Sequence, residues 1–169
     1  GSLTGNVLFK RYYESTRWIE NPLDETGEVD RLNALQPYFQ GAAAEQGIEW
    51  LLLAAQGYQE SRLDQSVVSA AGAVGVMQIL PSTAKDPVFG GADIYDAEGN
   101  IVGGARYLES LRTRYADVGG PIDPWLFAFA AYNAGPARVA RARRRAEAAG
   151  YDPNRWSGNV EYTMMELVG

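Results

Sequence analysis

The stretch Ile48-Glu49-Trp50-Leu51-Leu52-Leu53-Ala54-Ala55-Gln56-Gly57-Tyr58-Gln59-Glu60-Ser61 decides how the rest of the chain is read. Ile48, Leu51, Leu52, Ala55 and Tyr58 recur at helical spacing, which predicts a largely buried helix running to about Ser61. Glu60 falls at its end, with Gln56 and Gly57 one turn back and Leu53 two turns back. A carboxyl in such surroundings is partly desolvated. Burial favours its protonated form and lets it donate a proton near neutral pH. Position alone also allows an ordinary helix-end glutamate in water.

Downstream, residues 70–79 are small, apolar and punctuated by glycine, which predicts a tight turn leading into a short helix. Pro81 and Ser82 open a further helical turn. Residues 86–100 read as a loop around Gly90, Gly91 and Gly99, the one place where a minor β-hairpin is expected. Asn100 is expected to cap a helix through Ala105, Leu108, Leu111 and Tyr115. Pro124 opens an apolar helix that ends near Asn133, with Gly135 as its stop, and Pro136 opens another closed by Gly150. Upstream, residues 8–19 form a helical stretch stopped by Asn21-Pro22. A second stretch carries Leu32, Leu35 and Phe39, and Pro37 should kink or interrupt it. No pair of alternating strands appears, so the expected fold class is all-α. Residues 1–47 read as an N-terminal helical linker segment and residues 48–169 as the main domain.

Composition narrows the chemistry. The 169 residues are 46% hydrophobic, with 4 Trp and 10 Tyr, enough to bury one substantial core. No apolar run approaches the roughly 20 residues of a membrane helix. Gly1-Ser2 reads as a cloning remnant with no leader pattern after it, so any export signal or lipid anchor is expected outside this stretch. There is no Cys, which removes thiol nucleophiles, disulfides and Cys-based metal sites, and no His, which removes a Ser-His-Asp triad and His-ligated zinc. Acid–base work then falls to carboxylates, Tyr, or the two lysines Lys10 and Lys85. The net charge of −6 argues against nucleic acid as a partner.

Around Glu60 the motifs accumulate in order. Glu60-Ser61 is followed by Ser69, then Gly72-Ala73-Val74-Gly75-Val76-Met77-Gln78-Ile79-Leu80-Pro81, then Asn100-Ile101, Gly104 and Tyr107-Leu108, then Ala131-Tyr132-Asn133-Ala134-Gly135. Together they resemble the soluble lytic transglycosylase domain, a relative of goose-type lysozyme, over residues 48–161. The stretch Asp152-Pro153-Asn154-Arg155-Trp156, with Asn159-Val160-Glu161 after it, is most similar to the membrane-bound type F branch. The resemblance implies a lysozyme-like helical domain with a substrate groove. It implies non-hydrolytic cleavage of the MurNAc–GlcNAc bond of peptidoglycan to leave 1,6-anhydroMurNAc ends. It implies a periplasmic setting, membrane or outer-membrane association through parts outside this chain, and an upstream solute-binding-like domain. Such domains also continue with a helix bearing a Glu-Thr pair and a later Tyr, which is not within the sequence up to Gly169.

Position by position, the resemblance makes Glu60 the catalytic acid and later base. Ser69 would orient the carboxyl or the substrate acetamido group, Gln78 would bond sugar amides, and Tyr132 and Asn133 would flank Glu60. Each has a plainer reading. Ser69 can be a turn or cap residue, Tyr132 a core tyrosine, Asn133 a helix-end residue, and Met77 core. Gly72 and Gly75 can serve the turn alone.

Ordinary glycosidases use two carboxylates. Asp64, Asp86, Asp93 and Asp96 are candidates for the second only by nearness, and turn roles explain them as well. One acid suffices if the substrate's own C6 hydroxyl is the nucleophile, because tethering replaces a second group. Tyr95, Trp125, Tyr151, Trp156 and Tyr162 are candidate sugar-stacking aromatics or packing residues. The run Arg138, Arg141, Arg143, Arg144 and Arg145 is either a solvated helix face or a surface for stem-peptide carboxylates. Asp93, Asp96, Glu98 and Asn100 lack EF-hand spacing, so no metal or other cofactor is expected. A lysozyme-like hydrolase, and a non-catalytic or regulated peptidoglycan-binding module, are the alternatives.

Overall fold

The computed structural model describes residues 27–168. The expected helix over residues 8–19 lies outside them. Six α-helices and several short turns make up the described chain, and extended pairing is limited to isolated bridges. The fold class is all-α. Contacts divide the described residues into two compact units, 27–107 and 108–168.

The first unit opens with α1, Glu28–Gln46, which buries Leu32, Leu35, Phe39, Ala42 and Ala43. Contrary to the sequence expectation, Pro37 does not interrupt it. Proline removes the bond to the carbonyl of Asn33, but both residues lie on the exposed face, where water takes the place of the missing N–H. The helix ends at Gly47, left-handed at φ 66°, whose N–H reaches back to the Ala43 and Ala44 carbonyls.

Helix α2, Trp50–Ser61, packs on α1. Its buried face is Leu53, Ala54, Ala55, Gln56, Gly57 and Ser61, while Leu51, Leu52 and Tyr58 are only half-buried. The face is therefore rotated from the one the large apolar residues suggested. The reason is close approach: a Cβ on Gly57 would lie 3.0 Å from Val76 Cγ1 and 3.2 Å from Phe39 Cζ. Small residues make the tightest contact here, and a pattern of large ones does not reveal it.

Residues 70–79, expected to run into a short helix, instead form a clasp of turns. Val74 bridges antiparallel to both Val68 and Ile79. Val74 and Ile79 exchange N–H···O bonds at 3.0 Å in each direction, closing a four-residue turn over Gly75, Val76, Met77 and Gln78. The local extended structure thus sits here and not in residues 86–100. That later segment follows a 3₁₀ turn at Thr83–Lys85 and is built from another at Pro87–Phe89 and from aspartate-capped turns.

Helix α3, Ala97–Arg114, starts earlier than expected. Asp96 caps it, accepting the Gly99 N–H at 3.1 Å. Asn100 lies inside the first turn and does not cap it.

The second unit holds the end of α3, then α4 (Asp123–Ala134), α5 (Pro136–Ala148), a π-turn at Trp156–Val160, and α6 (Glu161–Val168). Gly135 stops α4 and Pro136 starts α5, as the sequence indicates. Its core stacks Tyr115 on Phe127 and sets Trp156 edge-on to Phe127 at 5.2 Å. Asp123, which the sequence reading passed over, is buried at the start of α4. Its Oδ1 accepts the Trp156 N–H at 2.8 Å and its Oδ2 the Gly120 N–H at 2.8 Å. No described helix is long and apolar enough to cross a membrane.

Candidate active site

Glu60 stands one residue before the end of α2, mostly buried, and its pKa is pushed up from 4.5 to about 7. Burial is the main cause. A hydrogen bond from Gln56 Nε2 to Glu60 Oε1, 2.7 Å, pulls the other way by favouring the ionised form. A carboxyl with that balance is close to half-protonated at neutral pH, so the same group can give and take a proton.

The chain around Glu60 is locked on both sides. Ser61 Oγ lies 2.9 Å from the Val76 carbonyl and 3.3 Å from that of Gly57, and it accepts the Asp64 N–H at 3.1 Å. One hydroxyl thereby ties the helix end to the turn over residues 75–78. Beyond it, Arg62 and Leu63 are both left-handed, at φ 57° and 62°, a conformation that costs non-glycine residues about 1 kcal/mol or more each. Leu63 is 1% exposed, and its burial holds this strained stop in place. Arg31 Nε donates to the Arg62 carbonyl at 3.0 Å. The Arg62 guanidinium sits 3.4 Å from Glu28 and over the Tyr58 ring, joining the start of α1 to the end of α2. Burial, followed by the nearby Glu28 carboxylate, raises the pKa of the Tyr58 hydroxyl above its ordinary value.

The facing turn is held from beneath by two amides. Asn100, fully buried, accepts the Met77 N–H at 2.7 Å and donates to the Val74 and Ile94 carbonyls at 2.9 and 2.8 Å. Gln65 accepts the Val76 N–H and donates to the Ile94 carbonyl, both at 3.1 Å. Gly75 admits both, since a Cβ there would lie 2.5 Å from Gln65 Oε1 and 2.6 Å from Asn100 Nδ2, at φ 79°. Met77 is fully buried and belongs to the core.

The expected site residues fall as follows. Gln78 closes the turn in a left-handed conformation at φ 49°, and its Nε2 donates to the Val67 and Gly75 carbonyls at 3.1 and 2.8 Å. Ser69 lies at the foot of the same turn system. Its N–H donates to the Ala73 carbonyl at 2.9 Å, and its hydroxyl accepts the Ala73 N–H at 3.0 Å. Ser69 and Gln78 thus bond within the clasp, which Ser61 ties to the end of α2, while the Glu60 carboxyl bonds to Gln56. Tyr132 and Asn133 stand at the end of α4, in the second unit, half-buried and exposed respectively.

All four candidate second carboxylates are spent on backbone turns. Asp64 accepts the N–H and hydroxyl of Ser66 at 2.8 and 2.6 Å, bonds that hold its pKa below the ordinary carboxylate value. Asp86 accepts from Val88, Asp93 from Tyr95, and Asp96 from Gly99. Among the described residues no group of three or more Asp or Glu could hold a metal ion. Of the aromatic candidates, Trp156 is fully buried and cannot stack a sugar, because its ring is a core member. Tyr95 is 67% exposed, and Tyr151 and Tyr162 pair at the surface with ring centroids 5.6 Å apart. Of the five arginines of α5, Arg143 is structural. It donates to the Pro153 carbonyl and Asn154 Oδ1, while Arg138, Arg141, Arg144 and Arg145 are exposed.

Sequence reasoning missed three parts of this machinery: the Gln65 and Asn100 clamps and the Ser61 tie. Polar residues in a loop and at a helix start carry no sign that their amides will turn inward.

Fold and site together define an all-α, lysozyme-like domain that presents one carboxylic acid poised near neutrality. A family model for the transglycosylase SLT domain matches residues 37–154, and the chain belongs to that family. The match begins inside α1, upstream of the motifs that carried the resemblance. The chain is 40% identical over 157 residues to a membrane-bound lytic murein transglycosylase F of Desulfosudis oleivorans, covering 91% of this chain and 34% of that protein. It is 46% identical over 133 residues to the protein of the same name from Maricaulis maris, covering 78% and 28%. Against membrane-bound lytic murein transglycosylase F 1 of Alkalilimnicola ehrlichii it is 43% identical over 129 residues, covering 76% and 26%. The chain therefore spans about a third or less of the length of these relatives.

Proposed function

We propose that this chain is the catalytic domain of a lytic transglycosylase that cleaves the β-1,4 bond between MurNAc and GlcNAc in peptidoglycan. One observation carries the reading: Glu60 is mostly buried, held near pH 7, and stands in a chain with no His or Cys and with its neighbouring aspartates committed to turns.

The protonated Glu60 gives its proton to the glycosidic oxygen as the C1–O bond breaks. The positive charge developing at C1 is met by the acetamido carbonyl of the same MurNAc. The ionised Glu60 then removes the proton of the C6 hydroxyl as that oxygen bonds to C1, closing the 1,6-anhydro ring. The proton is back on Glu60 and no water is consumed. Tethering of the hydroxyl supplies what a second carboxylate supplies elsewhere.

In this scheme the Ser69 hydroxyl, which accepts from Ala73, keeps its own proton to donate to the carboxyl or an acetamido oxygen. Gln78, whose nitrogen is committed to two carbonyls, offers its oxygen to a sugar amide N–H. For Tyr132 and Asn133, on the second unit, the Ala131-Tyr132-Asn133-Ala134-Gly135 motif supports a role in binding the glycan. The longer relatives, membrane-bound lytic murein transglycosylases by name, support a periplasmic, peptidoglycan-facing location, membrane association through parts outside this chain, and an upstream solute-binding-like regulatory domain.

Mass spectrometry of products from purified peptidoglycan tests the reading. Anhydro-muropeptides that vanish with Glu60→Gln are expected. Reducing ends would make the protein a lysozyme-like hydrolase, and binding without products a regulated or non-catalytic module.

A further inference from the structure

Gln56 is a polar side chain in an unusual place. It is 5% exposed on the buried face of α2, exactly one helical turn before Glu60, among Leu53, Ala54, Ala55 and Gly57. A leucine would fill that position without the cost of burying an amide, about 1–3 kcal/mol when such a group is not fully bonded. The amide is aimed along the helix, and its nitrogen meets the Glu60 carboxyl at 2.7 Å.

We propose that Gln56 is a positioning residue for the reaction: its amide fixes the Glu60 carboxyl in one rotamer and bonds more strongly to the carboxylate than to the acid, so that proton donation is followed by a competent base. This rests on the reading of Glu60 as the acid and base of the lytic reaction. An amide N–H gains strength when its acceptor becomes charged. The bond therefore tightens as Glu60 gives up its proton, and it holds the oxygens still for the second transfer. Without it, burial alone would act on Glu60, trapping the proton and leaving the carboxyl free to turn.

Among the described residues no charged group is bonded to Glu60 in its place. Around this end of α2 stand Tyr58, Arg62 and Asp64 on the same segment, and Glu28 and Arg31 on α1. Tyr58, Arg62, Glu28 and Arg31 bond to one another or to backbone, and Asp64 bonds Ser66. The facing turn, residues 74–79, carries no charged residue. The causes that shift Glu60 are burial and the Gln56 bond.

The experiment is a pH titration of the protein labelled for NMR at Glu carboxyl carbons and Gln side-chain amides, with pH profiles of turnover on peptidoglycan alongside. In the unmutated protein the Gln56 amide signals should move through the same midpoint as the Glu60 carboxyl. In Gln56→Met, which keeps the length and helix propensity but removes the donor, the Glu60 midpoint should rise by about one unit. The alkaline limb of kcat/KM should follow it, and kcat should fall about tenfold. A Gln56 amide that does not respond to Glu60 ionisation, or a Gln56→Met protein with an unmoved midpoint and limb, overturns the proposal. The amide measurement needs no variant, so misfolding of Gln56→Met does not remove the test. Absence of products from the unmutated protein would instead sink the proposed function, and the NMR titration would still report on the bond itself.

Discussion

Asn100 Oδ1 accepts the backbone N–H of Met77 at 2.7 Å across 23 residues of sequence, while its Nδ2 serves the carbonyls of Val74 and Ile94. One fully buried amide thus bonds three main-chain groups at once, sharing the Val74 carbonyl with the Ile79 N–H and the Ile94 carbonyl with Gln65. Its backbone is fixed in the first turn of α3, so the helix start becomes the floor on which the turn facing Glu60 rests. Asn100→Leu would match the volume but take away the acceptor of the Met77 N–H and one of the two donors to each carbonyl, Val74 keeping the Ile79 N–H and Ile94 keeping Gln65 Nε2. A loss of about 2–3 kcal/mol in urea unfolding is expected, with faster hydrogen exchange at Met77. A variant within 1 kcal/mol of the parent would show that the clasp holds its shape without this floor.

Asp123 plays the matching part in the second unit. Its two oxygens accept from the main chain of Trp156 and Gly120, and Arg155 Nε lies 4.0 Å away. Asp123→Asn puts an NH₂ group where an acceptor is needed, against one of two N–H donors. About 2–3 kcal/mol should be lost, and the emission of the buried Trp156 should shift to the red at lower urea than in the parent. Unchanged fluorescence unfolding would place the anchor of the π-turn elsewhere.

Pro37 offers a change in the opposite direction. Proline inside a helix forfeits one hydrogen bond and is about 3 kcal/mol poorer than alanine there. Here the ring is exposed and Asn33 is exposed beneath it, so nothing is packed against the lesion. Pro37→Ala should raise stability by about 1–3 kcal/mol, the lower end applying if the unfolded chain gains freedom in proportion. A drop in melting temperature would mean that the ring supports a contact of its own.

These residues also show what the sequence makes legible. The helices were readable because periodicity, proline starts and glycine stops act over short spans, as at Gly135-Pro136. The desolvated setting of Glu60 was readable because the residue falls at the end of an apolar helix, with Leu53, Gln56 and Gly57 on the turns before it. The clasp was not, since its backbone is held by Gln65, Asn100 and Ser61 from distant points, and small apolar residues between glycines fit a short helix as well as a turn. Pro37 was misjudged because its local penalty was weighed without the apolar face that outweighs it. The buried face of α2 was misplaced because Gly57 packs by being small.

Glu60 itself should leave a mark on stability. Its folded value of about 7 lies above the 4.5 of the unfolded chain, so between those two pH values the native state holds a proton that the unfolded state has released. Stability must therefore fall as pH rises through that window and level off above it. At about 1.4 kcal/mol per unit the full effect is at most about 3 kcal/mol, less whatever the solvent at the exposed edge screens. Glu60→Gln is neutral throughout and escapes this loss. It should match the parent near pH 4 and exceed it by about 1–3 kcal/mol at pH 8.5, while turnover disappears. Stabilisation together with inactivity is the signature of a group kept for chemistry at the expense of the fold. Equal stability of the two proteins at both pH values, read from urea midpoints, would mean that Glu60 is solvated and ionises normally, and the assignment of this carboxyl as the acid would lose its physical basis.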